Sequence, residues 1–263
     1  MSDTLDSSTT FSGSAQSNLR DLIEGGYRFE FSKNFETGFN IWKKDIGGLI
    51  GYTALSLLIL LVSCLTIVGP LLLAGPFAAG YFVVGEKIAR DEPHEFGDYW
   101  KGFEFFGQTL LFHLIIAAIV VGFYLFFFLG ALMFGASMIP MSSAFMDDPG
   151  SAAAVGIAGM MAMFLFMTMA VIGGVYLQTI WFFVYPFICT GKLSCGDAMR
   201  MSRKVVMKNF WWIVLFSILV GMVSGVGIYA LFVGILLTYP LKYILALGAY
   251  INIVGLGDKK AEL

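Results

Sequence analysis

Four long runs holding at most one charged residue constrain this chain more than any other feature. Ile46–Gly85 is 40 residues, Phe105–Met146 is 42, Pro149–Gly191 is 43, and Asn209–Gly257 is 49 with Lys242 as its one charge. A helix crossing the hydrocarbon core of a bilayer needs about 20 apolar residues. The first and last runs are therefore each two crossings long, and Gly69-Pro70 and Gly225-Val226-Gly227 offer turns within them. A backbone in lipid must satisfy its own hydrogen bonds, and the runs lack strand alternation, so the spans are expected to be helices and not a barrel. Composition agrees: 58% of residues are apolar and 13% charged, against roughly 45–50% and about 25% in soluble domains. A disordered chain, a collagen-like chain and an ordinary soluble enzyme are excluded. Three cysteines give no disulfide framework, and a net charge of −2 argues against a nucleic-acid partner.

The two middle runs are read as one span each, at about His113–Ile139 and Ala153–Tyr185, with Pro140 and the polar segment Met141–Gly150 between them. The fold class expected is an all-α polytopic bundle of six spans in three hairpins, about 46–88, 107–190 and 209–254; eight segments is the alternative count. Lysine and arginine test the count. Arg20, Arg28, Lys33, Lys43 and Lys44 precede the first span. Lys87, Arg90 and Lys101 lie between spans two and three, and Lys192, Arg200, Arg203, Lys204 and Lys208 between four and five. Lys259 and Lys260 follow the sixth. The other three connections carry none, which is a complete positive-inside alternation with both termini cytoplasmic. The expected location is a bacterial inner membrane.

Residues 1–26 read as a disordered tail, with nine Ser or Thr in the first 20 positions and no basic-then-apolar signal pattern. Residues 27–257 read as one transmembrane domain and 258–263 as a short cytoplasmic tail. Within the domain a repeat is visible. A shift of 164 positions carries Lys44-Asp45 onto Lys208-Asn209 and Pro76 onto Pro240. The triplets Gly75-Pro76-Phe77, Tyr185-Pro186-Phe187 and Tyr239-Pro240-Leu241 suggest a weaker middle copy. Each hairpin follows a short amphipathic stretch: Phe31–Lys44, Glu95–Phe106 and Ser194–Lys208. Three parallel units of interfacial helix, outward span and inward span are expected, with Pro76, Pro186 and Pro240 as helix kinks.

Ser194–Lys208 is the best defined of the amphipathic stretches. Ser194 with Asp197 matches a helix-start capping pattern with Asp in place of Glu. Arg200, Lys204 and Lys208 recur on one face with Arg203 beside them, and Ala198, Met201 and Val205 recur on the other. A helix of this kind is expected in the headgroup plane, bound to anionic lipid. Its alternative is a loop helix whose bases only set topology.

Three segments carry a family resemblance: Glu95-Phe-Gly-Asp-Tyr-Trp-Lys-Gly-Phe103, Ala198-Met-Arg-Met-Ser-Arg-Lys-Val-Val-Met-Lys-Asn-Phe-Trp211, and Gly227 to Pro240. On these the chain, from about Phe39 to Gly255, resembles a large group of bacterial six-span membrane proteins loosely labelled after the membrane domain of glycerophosphodiester phosphodiesterase. The resemblance implies a helical membrane bundle and transfers no functional residue. No soluble phosphodiesterase domain is present, so that activity does not carry over.

Candidate chemistry is sparse. None of the four runs contains a carboxylate of the sort that proton-coupled carriers use. His113, beside Gln108, reads as a hydrogen-bonded histidine rather than a relay, and Gln178 as packing glue. Met160, Met163 and Met167 share a helix face, and thioethers suit Cu(I). No Cys or His pair supports a metal there, and methionine is ordinary apolar filler. The loop holding Glu86, Asp91, Glu92, His94, Glu95 and Asp98 matches no zinc spacing. Gly221 and Gly225 form a small-residue pair for close helix approach. No catalytic, cofactor or metal site is expected.

Lys242 has two readings. Counting 20 residues from Ile228 ends the sixth span near Leu247, which leaves Lys242 a turn from the cytoplasmic end, where it can snorkel to the headgroups. Alternatively it faces a wet cavity and holds an anion. The function expected is a non-enzymatic scaffold, partner subunit or lipid-associated module, with Arg200, Arg203, Lys204, Lys208 and Lys242 as headgroup candidates. A membrane protein partner or homo-oligomer is the further expectation. A carrier or channel for a small or lipid-like solute is the alternative, with the three prolines around a central cavity. A polar path between hairpins would favour the carrier and a close-packed centre the scaffold.

Overall fold

The computed structural model describes residues 22, 24–66, 68–138, 149–229 and 231–256. The Ser/Thr-rich tail up to position 21, the polar segment with Pro140, and the final tail lie outside the described residues. The chain is all-α, with no strand among the described residues. In order come α1 (Phe31–Lys44), α2 (Ile46–Ser63), α3 (Gly69–Ala89), a 3₁₀ segment (Phe96–Phe105), α4 (Phe106–Met138), α5 (Pro149–Ile180), α6 (Val184–Cys189), α7 (Cys195–Lys208), α8 (Phe210–Tyr229) and α9 (Leu231–Val254). Six stretches among the described residues are long and apolar enough to cross a membrane: Ile46–Ser63, Gly69–Ala89, Phe96–Gly130, Ile157–Cys189, Phe210–Gly227 and Gly234–Val254. The chain is a multi-pass membrane protein by this measure, with six spans among the described residues.

The turns sit slightly off their expected places. The first hairpin leaves α2 at Cys64, and Gly69-Pro70 begins α3, where proline's missing N–H costs nothing. In the last hairpin α8 runs through Gly225-Val226-Gly227 to Tyr229. Gly227 is used for packing instead: a Cβ there would collide with Thr238 Oγ1 and the Gly234 carbonyl of α9. The Glu95–Phe106 stretch is a 3₁₀ segment and not an α-helix. Its start is a reciprocal cap, in which the Asp98 carboxylate accepts from the Glu95 N–H at 2.9 Å and the Glu95 side chain accepts in return.

The 164-residue repeat is reproduced in detail. α1 and α7 are both 14 residues long, and each end of one maps onto the matching end of the other. The helices break at Asp45 (φ −140°, ψ 55°) and at Asn209 (φ −135°, ψ 43°), the same backbone geometry at equivalent positions. The next helix then starts with the same bond: Leu49 N–H to the Asp45 carbonyl, and Ile213 N–H to the Asn209 carbonyl, each 3.1 Å. Asn34, Gly38 and Ile41 are buried on α1, as are Ala198, Ser202 and Val205 on α7. Leu49, Tyr52, Thr53 and Ser56 are buried on α2, as are Ile213, Phe216, Ser217 and Val220 on α8.

The chain divides into two compact units: Met1–His113 with Gln178–Leu263, and Leu114–Leu177. In the larger unit each interfacial element packs on the second helix of the preceding hairpin, taken cyclically. α1 packs on α9, the 3₁₀ segment on α3, and α7 on α6. A small residue permits each approach. A Cβ at Gly38 would meet Leu245 Cα at 2.7 Å, one at Gly102 would collide with Gly80 N and Pro76 O, and Ser202 hydrogen-bonds the backbone at Ile180 and Phe183. The second helices α3, α6 and α9 also touch one another, and they carry Pro76, Pro186 and Pro240. All three prolines are buried. Pro76 and Pro240 lie inside their helices, whereas Pro186 lies in the first turn of α6, after a break at Trp181–Phe183. The smaller unit consists of parts of α4 and α5, whose Phe123 and Phe127 rings stack on Phe166.

Candidate functional site

Segments 27–45, 86–108, 189–209 and 245–256 come together in the larger unit, though they are scattered along the chain. Asp45, the break residue after α1, accepts from the Gly48 N–H at 3.0 Å and the Tyr99 hydroxyl at 3.0 Å, with His94 Nε2 at 3.2 Å. Lys44 pairs with Asp91 at 2.6 Å. Gln108 accepts the Cys195 N–H at 2.7 Å. Tyr27 donates to the Val205 carbonyl at 3.1 Å, and Asn209 Nδ2 donates to the Tyr27 carbonyl at 2.6 Å. Asn252 near the end of α9 bonds Asn34, Thr37 and the Lys33 carbonyl of α1. These cross-links join all four segments the positive-inside pattern groups together.

The acidic loop is taken up by ion pairs. Asp98 holds Lys87 and Lys101, each at 2.7 Å, and Glu86 holds Arg90 at 2.9 Å. No group of three or more metal-ligating side chains occurs among the described residues. The loop is therefore a clamp between α1, α3 and the 3₁₀ segment.

α7 differs. Its apolar face, Ala198, Met201, Val205 and Val206, is buried, packed within the protein on α6 and next to Tyr27. A helix lying free in the headgroup plane would turn that face to lipid; here it is spent on protein instead, because α6 supplies a helix surface for it. What remains outside is the basic face. Arg200, Arg203, Lys204 and Lys208 are all exposed, and Arg203, Lys204 and Lys208 form no ion pair with a described residue. Arg200 bridges back to Asp197. Exposed Met207, Trp211 and Trp212 flank the basic face, and Tyr27 brings the exposed Arg28 close to α7. Ser194 caps the helix as its spacing predicts, accepting from the Asp197 N–H at 3.3 Å while its hydroxyl donates to the Asp197 carboxylate at 2.6 Å. That hydroxyl, helped by Arg200 and opposed by partial burial, holds the Asp197 carboxyl below its ordinary range. Burial pushes the Cys195 thiol and the Tyr27 phenol up, leaving both neutral.

No family model matches the chain, and neither does any curated protein or solved structure. The site is therefore read from its own geometry.

Where α3, α6 and α9 meet, aromatic rings fill the centre. Tyr81 stacks on Tyr243 with centroids 4.9 Å apart, Phe82 stacks on Tyr185 at 5.8 Å, and Tyr239 meets Tyr81 edge-on. The hydroxyls find partners within the packing: Tyr81 with Thr53 at 2.8 Å, Tyr185 with His113 at 3.3 Å, Tyr243 with Tyr239 at 3.1 Å. His113 Nδ1 also lies 2.9 Å from the Thr109 carbonyl, the hydrogen-bonded role its position suggests. Gln178 is exposed. Met160, Met161, Met163, Met167 and Met169 are exposed along α5, an apolar surface fit for lipid.

Lys242 lies within α9, which runs on to Val254 and not to the expected end near Leu247. α1 packs along Leu245, Gly248 and Asn252, so the last turns of the helix are covered by protein. Lys242 is still only one turn below the first α1 contact. The sequence missed the cross-links from Tyr27, Gln108 and Asn252. Each is a polar side chain in an ordinary context, and its partner lies 87 or more positions away.

Proposed function

We propose that this chain is a non-enzymatic membrane module that gathers anionic lipid at its basic, cytoplasmic end in a bacterial inner membrane. One observation carries the reading: α7 has its apolar face committed to protein while four cations face outward without enough acidic partners to neutralise them. A helix held this way cannot bury itself in the bilayer, so its free surface acts by charge, worth about 1 kcal/mol per basic group near an anionic surface. Exposed Trp211 and Trp212 beside it suit the headgroup region. The carrier alternative requires a polar route between the hairpins; the rings packed where α3, α6 and α9 meet support the scaffold reading instead. The module serves as a scaffold for a membrane partner or a second copy.

The test is the lipid shell. The full chain extracted from mixed phosphatidylcholine and phosphatidylglycerol bilayers is expected to carry an excess of phosphatidylglycerol over the bulk. Replacing Arg200, Arg203, Lys204 and Lys208 together by Gln should remove most of that excess and leave folding intact. A shell of bulk composition around the unaltered protein would refute the reading.

A further inference from the structure

Lys242 occupies an opening that the repeat itself exposes. Its counterpart under the 164-residue shift is Ala78, which is buried in the stretch Pro76–Gly80 that the 3₁₀ segment covers. The element covering α9 is α1, and it docks further along, at Leu245, Gly248 and Asn252. The position next to the proline, closed in the first hairpin, is thus left uncovered in the last. Between Pro240 and Tyr250 every residue is buried except Lys242, which is exposed, and Tyr243, which is half-buried.

The donors in that opening have no acceptors among the described residues. Lys242 makes no ion pair or hydrogen bond with a described residue, and its Nζ lies 5.5 Å from the centre of the Tyr243 ring. Tyr243 donates its hydroxyl to Tyr239 at 3.1 Å. The O–H of Tyr239 then has no acceptor among the described residues. Tyr239 and Lys242 are three positions apart on one helix and so are neighbours on its surface. An ammonium and, about one helical turn before it, a phenol O–H, neither with an acceptor among the described residues, suit an anionic oxygen group.

Depth selects the kind of anion. Gly85 of α3 faces Ile244 and Leu247 of α9, and the charged end of α3 begins at the next residue, Glu86. Lys242 is therefore about one turn inside the level where charges begin, and its stem reaches the headgroup boundary. An anion arriving there from the side of a spanning helix needs an apolar body in the hydrocarbon.

We infer that Lys242 and Tyr239 form a discrete site for the phosphate of one anionic phospholipid, separate from the diffuse basic surface of α7. The inference deepens the lipid reading above but does not depend on α7. A phospholipid seated here lies against α9 beside the aromatic centre, where it fills the uncovered position next to Pro240.

The experiment is native mass spectrometry of the full chain released from phosphatidylcholine and phosphatidylglycerol nanodiscs. One phosphatidylglycerol is expected to survive delipidation. Lys242→Met should reduce that adduct by about fivefold, Tyr239→Phe by about threefold, and Lys242→Arg should retain it. The quadruple Gln variant of α7 should keep the adduct while losing diffuse enrichment. If diffuse enrichment is absent but the adduct depends on Lys242, the α7 reading fails and this site stands. An adduct undiminished in Lys242→Met, or phosphatidylcholine held equally well, overturns the site. Displacement by millimolar inorganic phosphate shows a site for a free anion and overturns its assignment to lipid. Thermal melting of each variant reports folding; if Lys242→Met melts early, the Lys242→Gln variant decides by the same criterion.

Discussion

Ser202 shows how one side chain sets the local path of the chain. It occupies the position that Gly38 holds in the first repeat, and it lies against the break between α5 and α6. Its hydroxyl donates to the Ile180 carbonyl at 2.7 Å and accepts the Phe183 N–H at 3.2 Å, both groups freed where the helix stops. Ser202→Ala would leave a buried donor and a buried acceptor without partners, a cost of about 1–3 kcal/mol. The expected result is a lower melting temperature in detergent, with faster amide exchange at Trp181–Val184 and none at α1. Exchange unchanged at the break would show that the bond carries no load. Gly38 achieves the equivalent contact by having no side chain at all, so the two repeats meet one packing demand with different chemistry. Neither solution is legible from the residue alone, since small residues occur throughout membrane helices.

At the scale of elements, α7 gives the sign of a pH effect. Its first turn is held by the Ser194 hydroxyl and the Asp197 carboxylate, and the Asp197 carboxyl sits below its ordinary range in the folded chain. The folded value is depressed, so the stabilisation is present above the unfolded value of about 3.9 and is lost as pH falls through the folded value. Exchange at Ala198–Met201 should therefore rise below about pH 4 in the full chain, and Asp197→Asn should show the raised exchange at neutral pH. Protection that ignores pH in this range would remove the cap from the account. This element also shows where sequence reasoning reached and where it stopped. Amphipathic periodicity locates α1 to the residue and α7 to within one, because helical burial of one face leaves a period in the chain. It could not say what covers that face, because lipid and a neighbouring helix demand the same apolar side chains. The 3₁₀ segment was legible as an amphipathic stretch but not as 3₁₀, whose form depends on the Glu95–Asp98 reciprocal cap and the close approach of Gly102 to α3. The hairpin turn at Gly225–Gly227 was misplaced for a related reason: glycine serves close packing as well as turning, and Gly227 does the former. Lys242 stood out as the one charge in its run, yet its exposure depends on where α1 docks, which only the fold reveals.

For the whole molecule, the charge-free runs and the alternation of Lys and Arg make one demand: residues 27–45, 86–108, 189–209 and 245–256 lie at one membrane face. The hydrogen bonds and ion pairs joining these segments agree with it, and the 18-residue α2 carries the exposed Cys64 some 27 Å from Asp45, at 1.5 Å per residue. Within the larger unit, the cyclic packing of α1, the 3₁₀ segment and α7 on α9, α3 and α6 repeats one contact three times, as a parallel repeat would. A membrane-impermeant maleimide applied to intact cells tests this directly. Cys64 should be labelled from outside. In a second variant, with Cys64→Ser and Lys204→Cys, labelling should appear only after the cells are permeabilised. Labelling of both positions from the same side would contradict the six-span arrangement and the gathering of the basic segments at one face.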